Sequence, residues 1–429
     1  MDTKIIQQAQ KVQGTARVPG DKSISHRSLM FGALAEGNTE VEGLSQGKDV
    51  LSTAACMRKL GAQITIDGDK ATVVGKGLQG LSAPSEELDA GNSGTTMRLL
   101  SGVLAGQKFN STFTGDASLQ KRPMRRIIGP LERMGGSIQA KDNTYAPLEI
   151  AGGTLQGIRY EMEYKSAQVK SCVLLAGLFA EGETTVVEPV ASRDHTERML
   201  KWLGASIRQE GSEITVDGSS PLQGRPITVP GDLSSAAFLV GAATIVPNSE
   251  LLIENIGINP TRTGFFEVME QMGAEIEFLN EREVNHEPIA DIKVRTSQLK
   301  GVTIGGDVIP RLIDEIPLLA CLATQAEGTT VIKDAAELRV KESDRIEATV
   351  DNLRRMGADI EGTPDGMIVR GPKPLQGCTV EGYHDHRIIM MSAIAGLVAQ
   401  SPITIPEAHW AEISFPGFFQ LLKDITQST

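Results

Sequence analysis

Five short segments set fixed cations among small hydroxyl and amide residues: DKSISHRSL at 21–29, GNSGTTMRL at 91–99, KSAQVKSCV at 165–173, KESDR at 341–345 and YHDHRIIMM at 383–391. Four of them run straight into an apolar stretch, so each reads as the start of a buried helix with Ser, Asp or Asn at an N-cap position. A helix N-terminus already carries about half a positive charge, and cations there are disfavoured unless something anionic lies opposite. Lys22 with Arg27, Arg98, Lys170, Lys341 with Arg345, and His386 with Arg387 break that preference. Free N–H groups with added cations suit phosphate and carboxylate. One such case carries little weight; four or five point to a small ligand with several negative charges. Two further segments fit ordinary capping: GDLSSAAFL at 231–239, and RLIDEIPLL at 311–319, whose acids suit a helix first turn.

The elements that present these segments repeat. An apolar stretch closed by Leu or Met, a glycine and a small residue, then a strand-like run, occurs as MRKLGAQITI, LERMGGSIQA, LKWLGASIRQ, MEQMGAEIEF and LRRMGADIEG. Gly61, Gly135, Gly204, Gly273 and Gly357 each read as the residue that ends a helix before a strand. A second phrase alternates with the first six times, from FGALAEGNTEVEG to AGLVAQSPITIPE, as helix end, turn and Thr/Val-rich strand. The unit is about 70 residues long, and six of them fill the 429 residues. The last copy of the first phrase has decayed to FPGFFQLLKDI, with no glycine after it. Units with two helices and several strands predict a compact α/β body rather than a thin solenoid.

Composition narrows the function classes. A formal net charge of −12 argues against nucleic acid as a partner, for which a basic face is expected. The apolar run at 388–399 is too short to span a bilayer about 30 Å thick, and MDTKIIQQAQ lacks the features of a leader, so a cytoplasmic protein away from membranes is expected. The four cysteines are far apart, and Cys172 and Cys321 lie in apolar stretches as inert core thiols. GTARVPGDKS nearly matches a phosphate-binding loop, but it has one residue too many between its glycines, and Asp21 would face the phosphate. The two histidines of HDHR, at i and i+2, do not share a helix face, so no metal site is expected there.

Taken in order, GDKSISHR, LDAGNSGTTMR, QKRPM, KSAQVKS, SRDHTERM, VKESDR and HDHR closely resemble the 5-enolpyruvylshikimate 3-phosphate synthase family, nearly end to end. The resemblance implies an α/β, two-domain enolpyruvyl transferase fold of six βαβαββ-like units, three per domain. The domains would be 20–230 and a discontinuous 1–19 plus 231–429, with crossings near 19–22 and 230–232, at VPGDKS and VPGDLS. They would close on substrate like a clamshell. The implied reaction moves the enolpyruvyl group of phosphoenolpyruvate to the 5-hydroxyl of shikimate 3-phosphate and releases phosphate, in aromatic amino-acid biosynthesis. Those two small molecules are the implied partners, with no cofactor and no metal, and the chain is expected to act as a monomer.

Carried over residue by residue, shikimate 3-phosphate would meet Lys22, Ser23, Arg27, Ser166, Ala167, Gln168, Ser192, Asp314, Glu337 and Lys341. Phosphoenolpyruvate would meet Lys22, Asn92, Gly94, Arg122, Gln168, Arg345, His386 and Arg387. Asp314 matches the family's base, and Glu342 and Lys22 match candidate acids, with His386 nearby. Without the resemblance, Glu342 would be a solvated surface acid, and Arg122 and Arg345 ordinary surface arginines. Ala167, His195 and Glu337 depart from the best-known pattern, as does Ile413, where a phosphoenolpyruvate-binding lysine is usual. This combination resembles the second branch, known for several glyphosate-tolerant members. Gly94, in contrast, leaves room in the pocket and argues for sensitivity. Two alternatives accompany the reading: transfer to UDP-N-acetylglucosamine, whose family carries a loop cysteine absent from GDASLQKRPM, and a non-catalytic anion binder on the same scaffold.

Overall fold

The computed structural model describes residues 2–428. The chain divides by packing into two units of similar size. An inserted unit comprises Gly20–Val229 with Glu283–Glu287; a terminal unit comprises the chain up to Pro19, Pro230–Arg282 and the chain from Pro288 onward. The division 20–230 expected from sequence does not separate out Glu283–Glu287. These residues form the tip of a hairpin whose strands, Glu275–Val284 and Glu287–Arg295, leave a two-residue turn. Both turn residues, Asn285 and His286, have positive φ, the geometry that twists a tight hairpin correctly.

Five helix ends are built as the glycine phrase predicts. Gly61, Gly135, Gly204, Gly273 and Gly357 all have φ between +86° and +91°. In each case the next residue's N–H returns to the carbonyl five residues back at 2.8–3.0 Å, from Ala62 to Met57 through Ala358 to Leu353. This Schellman closure satisfies carbonyls that the helix end would otherwise leave bare, and only glycine adopts that φ without a Cβ penalty. The decayed sixth copy, helix Phe418–Ile425, runs directly into strand Thr426–Ser428 instead.

Five sheets share one four-strand order, and the one containing Glu250–Gly257 adds Thr426–Ser428 as a fifth strand. Leu88–Asp89 lies parallel to Asn110–Thr114, which is antiparallel to Tyr145–Ala151, which in turn pairs with Ser137–Lys141. The sheets containing Thr184–Val187 and Glu36–Glu42 in the inserted unit repeat it, as do those containing Glu250–Gly257 and Gly328–Ile332 in the terminal unit. Edge strand Ile227–Thr228 joins Glu36–Glu42 from the far end of its segment and so closes the inserted unit. The sheet of the sixth unit is reduced to Lys4–Ile6 against Ile403–Ile405, and a separate parallel pair joins Leu155–Gln156 to Ala180–Glu181. Six helices, starting at Lys22, Gly94, Ala167, Leu233, Ile316 and His386, are buried along most of their length. Apolar residues all round a helix demand this, and here they form the centre of each unit's core. Cys172 and Cys321 lie within it, their thiols pushed up to about 12 by burial. Among the described residues no helix is long and apolar enough to cross a membrane.

Candidate functional site

In the inserted unit the helix starts at 22, 94 and 167 hold the cations. Asp21 caps helix Lys22–Leu34 by accepting from Ile24 N–H at 2.9 Å. Lys22 Nζ reaches Asp49 Oδ2 at 3.1 Å. Arg27 is buried, donating from Nε to Thr196 Oγ1 at 2.8 Å, from Nη2 to Ser171 Oγ at 2.8 Å and from Nη1 to the Ser23 carbonyl at 2.9 Å. Burial, only partly offset by Glu197, Asp21 and Glu287, pushes its pKa down to about 10. Between Lys22 and Arg27, His26 Nδ1 meets Thr53 Oγ1 at 2.6 Å. Thr53 continues to Thr96 at 2.7 Å, and Thr96 to Ser93, the cap of helix Gly94–Ala105. A chain of hydroxyls thus ties two helix N-termini together.

At the second N-terminus, a Cβ on Gly94 would stand 3.1 Å from Arg98 Nη1 and 3.5 Å from Arg122 Nη1, so glycine leaves room for two guanidiniums. Arg122 donates to Asn92 Oδ1 at 2.8 Å, and Asn92 Nδ2 donates to Asp116 at 2.8 Å. Arg98 donates to Gln168 Oε1 at 2.5 Å, and Gln168 Nε2 to Thr95 Oγ1 at 2.9 Å. Ser166 and Ala167 open the helix that carries Gln168. Arg122, which without the resemblance would read as an ordinary surface arginine, is buried, because its guanidinium lies against the Asn92 turn.

Lys170 corrects the sequence reading. It is fully buried and turned toward Glu188 Oε1 at 2.8 Å and Glu197 Oε1 at 2.6 Å. Burial opposes its charge, but the two carboxylates outweigh that and raise its pKa. It is a structural ion pair, not a cation offered to a ligand. The same Glu188 accepts from Ser192 N–H at 3.1 Å and from its hydroxyl at 2.8 Å, so Ser192 is tied inward.

In the terminal unit one guanidinium organises the acids. Arg345 is 1% exposed, whereas without the resemblance it would read as an ordinary surface arginine. Its Nε donates to Asp385 Oδ2 at 2.8 Å, Nη2 to Glu342 Oε2 at 2.6 Å and Nη1 to Asp314 Oδ1 at 3.2 Å. Burial disfavours its charge, but Asp385, Glu342 and Asp314 outweigh it and hold the pKa far above the usual range. Glu342 is therefore a partner of a buried cation and not a freely solvated acid. Asp385 caps helix His386–Gly396 by accepting from Arg387 N–H at 2.9 Å. Burial alone would raise its pKa; Arg345 and His386 outweigh that and lower it. Arg387 donates to the Asp314 carbonyl at 3.2 Å and lies 3.7 Å from the Asp314 carboxylate. Asp314 sits in a single 3-10 turn, Ile313–Glu315, with Glu315 buried behind it. Lys341 follows the turn Ala336–Val340 that holds Glu337. Its pKa is lowered by burial, against the pull of Asp314 and Glu337. His386 is buried, with Nδ1 4.0 Å from Asp385 Oδ1. Ile413 is buried at the end of the turn Ala408–Ile413.

Sequence reasoning missed the counter-charges Asp49, Asp385 and Glu315. Asp385 had a readable signal, an N-cap residue directly ahead of two cations, and Asp49 is an acid in a helix first turn. Among the described residues no cluster of three or more His, Cys, Asp or Glu could hold a metal.

Comparison with known proteins agrees with this geometry. Residues 6–422 match the profile of the family described as EPSP synthase (3-phosphoshikimate 1-carboxyvinyltransferase). A 3-phosphoshikimate 1-carboxyvinyltransferase of Brevibacillus brevis is 55% identical over 98% of this chain and 99% of its own. One from Bacillus thuringiensis is 52% identical over the whole of both chains. The solved EPSP synthase of Acinetobacter baumannii superposes with a TM-score of 0.89 at 47% identity, covering 99% of this chain and 98% of that one. The enolpyruvyl transferase NikO of Streptomyces tendae, 17% identical with a TM-score of 0.79 over 98% of this chain and 96% of its own, shares the fold. By sequence and by fold, the chain belongs to the EPSP synthase family.

Proposed function

We propose that this chain is a 3-phosphoshikimate 1-carboxyvinyltransferase, joining the enolpyruvyl group of phosphoenolpyruvate to the 5-hydroxyl of shikimate 3-phosphate with release of phosphate. The observation that carries the reading is the cluster in which the Asp314 carboxylate faces Arg345 at 3.2 Å and Arg387 at 3.7 Å, beside Glu342 and the perturbed Lys341. Two phosphates and two carboxylates on the substrates need fixed positive charge to offset their repulsion. Lys22, Arg27, Arg98 and Arg122 supply it in one unit, and Lys341, Arg345 and Arg387 in the other. Asp314 takes the 5-hydroxyl proton as that oxygen bonds to phosphoenolpyruvate. Glu342 or Lys22 delivers a proton to the methylene carbon, with His386 nearby, giving a tetrahedral adduct; the new methyl then gives a proton back as the C–O bond to phosphate breaks, which restores the C=C bond and releases phosphate. Ser23, Ser166, Ala167, Gln168 and Glu337 orient the shikimate ring and its phosphate. Asn92 and Gly94 leave the end of their helix open to phosphoenolpyruvate. Ser192 has its hydroxyl on Glu188 and turns from Glu188 to the substrate on binding.

Membership of the second branch of the family rests on Ile413, a buried apolar residue where a lysine is usual, together with Ala167. In this reading the enzyme works in the cytoplasm as a monomer, and its two units act as the two domains of the fold. The test is phosphate release from phosphoenolpyruvate by purified protein, with shikimate 3-phosphate, with UDP-N-acetylglucosamine and with neither. Release only with shikimate 3-phosphate is expected. Release with the nucleotide sugar would move the chain to the sister activity. Silence with both acceptors, despite bound ligand, would leave a non-catalytic binder.

A further inference from the structure

Asp314 is followed directly by a second acid, and the two stand in different surroundings. Glu315 is 1% exposed and closes the turn Ile313–Glu315. Its Oε1 accepts from the hydroxyl of Ser234. Ser234 Oγ accepts in turn from Arg262 Nη2 at 2.7 Å, and Arg262 lies 3.5 Å from Asp232, the cap of helix Leu233–Ile245. The same Oε1 of Glu315 lies 3.8 Å from Arg387 Nη1. A line of polar groups thus runs from Arg262 through Ser234 and Glu315 to Arg387, and every member is buried.

Glu315 Oε2 has no hydrogen bond among the described residues. A buried carboxylate left half satisfied costs stability, and an apolar residue of similar size would avoid that cost. What the acid does to its neighbours explains it better than what it adds to the fold. Arg387 is a neighbour that can respond. Its Nη1 donates to the Asp314 carbonyl at 3.2 Å, while its Nη2 stands 3.7 Å from Asp314 Oδ2, within ion-pair range but beyond hydrogen-bond reach. Two carboxylates therefore compete for this guanidinium. The other cations around the turn have further partners: Arg345 bonds Asp314 Oδ1 at 3.2 Å but also serves Glu342 and Asp385, Arg311 pairs with Glu267, and Lys341 feels Glu337 and Glu342 as well as Asp314. Without the Glu315 charge, Arg387 would close onto Asp314 as a direct, charge-assisted pair. A carboxylate in such a pair is a weaker base, because the cation favours its charged form.

We propose that Glu315 is a positioning residue for the transfer reaction: it holds Arg387 on its Nη1 side, keeps it from closing onto the Asp314 carboxylate, and so keeps Asp314 basic enough to take the proton of the substrate hydroxyl. Glu315 itself takes no proton and touches no substrate. The inference rests on the function proposed above, in which Asp314 is the base.

The test starts with phosphate release by the wild type in the presence of shikimate 3-phosphate, so a failure of the assigned function is seen before Glu315 is touched. The variant is Glu315→Gln, which keeps the shape and an acceptor for Ser234 but loses the charge. The pH dependence of kcat is then compared, with the same two substrates saturating both proteins. The limb on which kcat rises with pH reports loss of the proton from the base. In the variant that limb should move to lower pH by about one pH unit, and kcat on the plateau should fall about three- to tenfold. The KM for shikimate 3-phosphate should move far less. In a crystal structure of the variant, Arg387 should stand within hydrogen-bond distance of Asp314 Oδ2. Glu315→Asp keeps the charge but draws it back, so it should show the same changes at smaller size, and it carries the test if Glu315→Gln does not fold. An unmoved limb, whether or not kcat falls, would make Glu315 a merely structural residue and overturn the proposal. So would an Arg387 that keeps its 3.7 Å separation from Asp314 in the variant.

Discussion

The buried arginine Arg27 of the inserted unit and Arg345 of the terminal unit are surrounded in different ways. In the inserted unit Arg27 rests on Ser171, Thr196 and a carbonyl, Arg98 donates to Gln168, and Arg122 donates to Asn92. In the terminal unit Arg345 is held by three carboxylates, and Arg387 lies against Asp314 and Glu315. Hydroxyl and amide partners fix a guanidinium in place while leaving its charge for a ligand. Carboxylate partners offset part of that charge, and the cation they surround also arranges the acids. The two surroundings differ although both units are built from the same repeat. Fold similarity between the units carries no information about this difference; only the identity of the partners does.

The contrast breaks most visibly at Arg345. Replacing it with methionine leaves Asp314, Glu342 and Asp385 without their common cation. Removing one partner of a buried pair costs about 3–5 kcal/mol, and here the acids also lose their arrangement. Urea unfolding should show a loss of that size, with turnover nearly abolished; a loss under 1 kcal/mol would mean that the carboxylates do not depend on this cation. Arg27→Met sharpens the comparison from the other side. It leaves neutral hydroxyls unmatched, so the stability loss should be smaller, about 1–3 kcal/mol. Affinity for shikimate 3-phosphate, measured by calorimetry, should fall much further than stability does. Equal stability losses in the two variants would erase the distinction drawn between the units.

How far the sequence carried depended on the range of the interaction. Helix closure is local, so Gly61 and its four counterparts were readable one by one, and so was the decay of the sixth copy. The clustering of Lys22, Arg27 and Arg98 at helix starts is local as well. Pairing is not. Lys170 occupies the same position in its helix as a ligand-facing cation would, and only Glu188 and Glu197, 18 and 27 residues onward, show that its charge is already spent. Arg345 taken without the resemblance defaults to the surface; its burial goes with Asp385, 40 residues away. The hairpin tip was invisible for the same reason, since nothing within 283–287 announces which body it packs with.

The smallest of these effects separates His26 from its neighbours. This ring lies between Lys22 and Arg27, and burial, then those two cations, hold its pKa well below the usual 6.5. It therefore stays neutral in the folded protein at pH values where the unfolded chain would bind a proton. Below about pH 6.5 the unfolded state gains that proton and the folded state does not, so stability falls as the pH drops, by up to about 1.4 kcal/mol per pH unit from this group. The loss continues until the folded-state pKa is reached. His26→Asn keeps a polar group for Thr53 and lacks the titration. Thermal unfolding of both proteins between pH 7.5 and pH 5 should show the wild type losing more stability than the variant on acidification. Parallel curves would show that Lys22 and Arg27 leave the ring free to protonate, and that the positive field assigned to this unit is weaker than its partners imply.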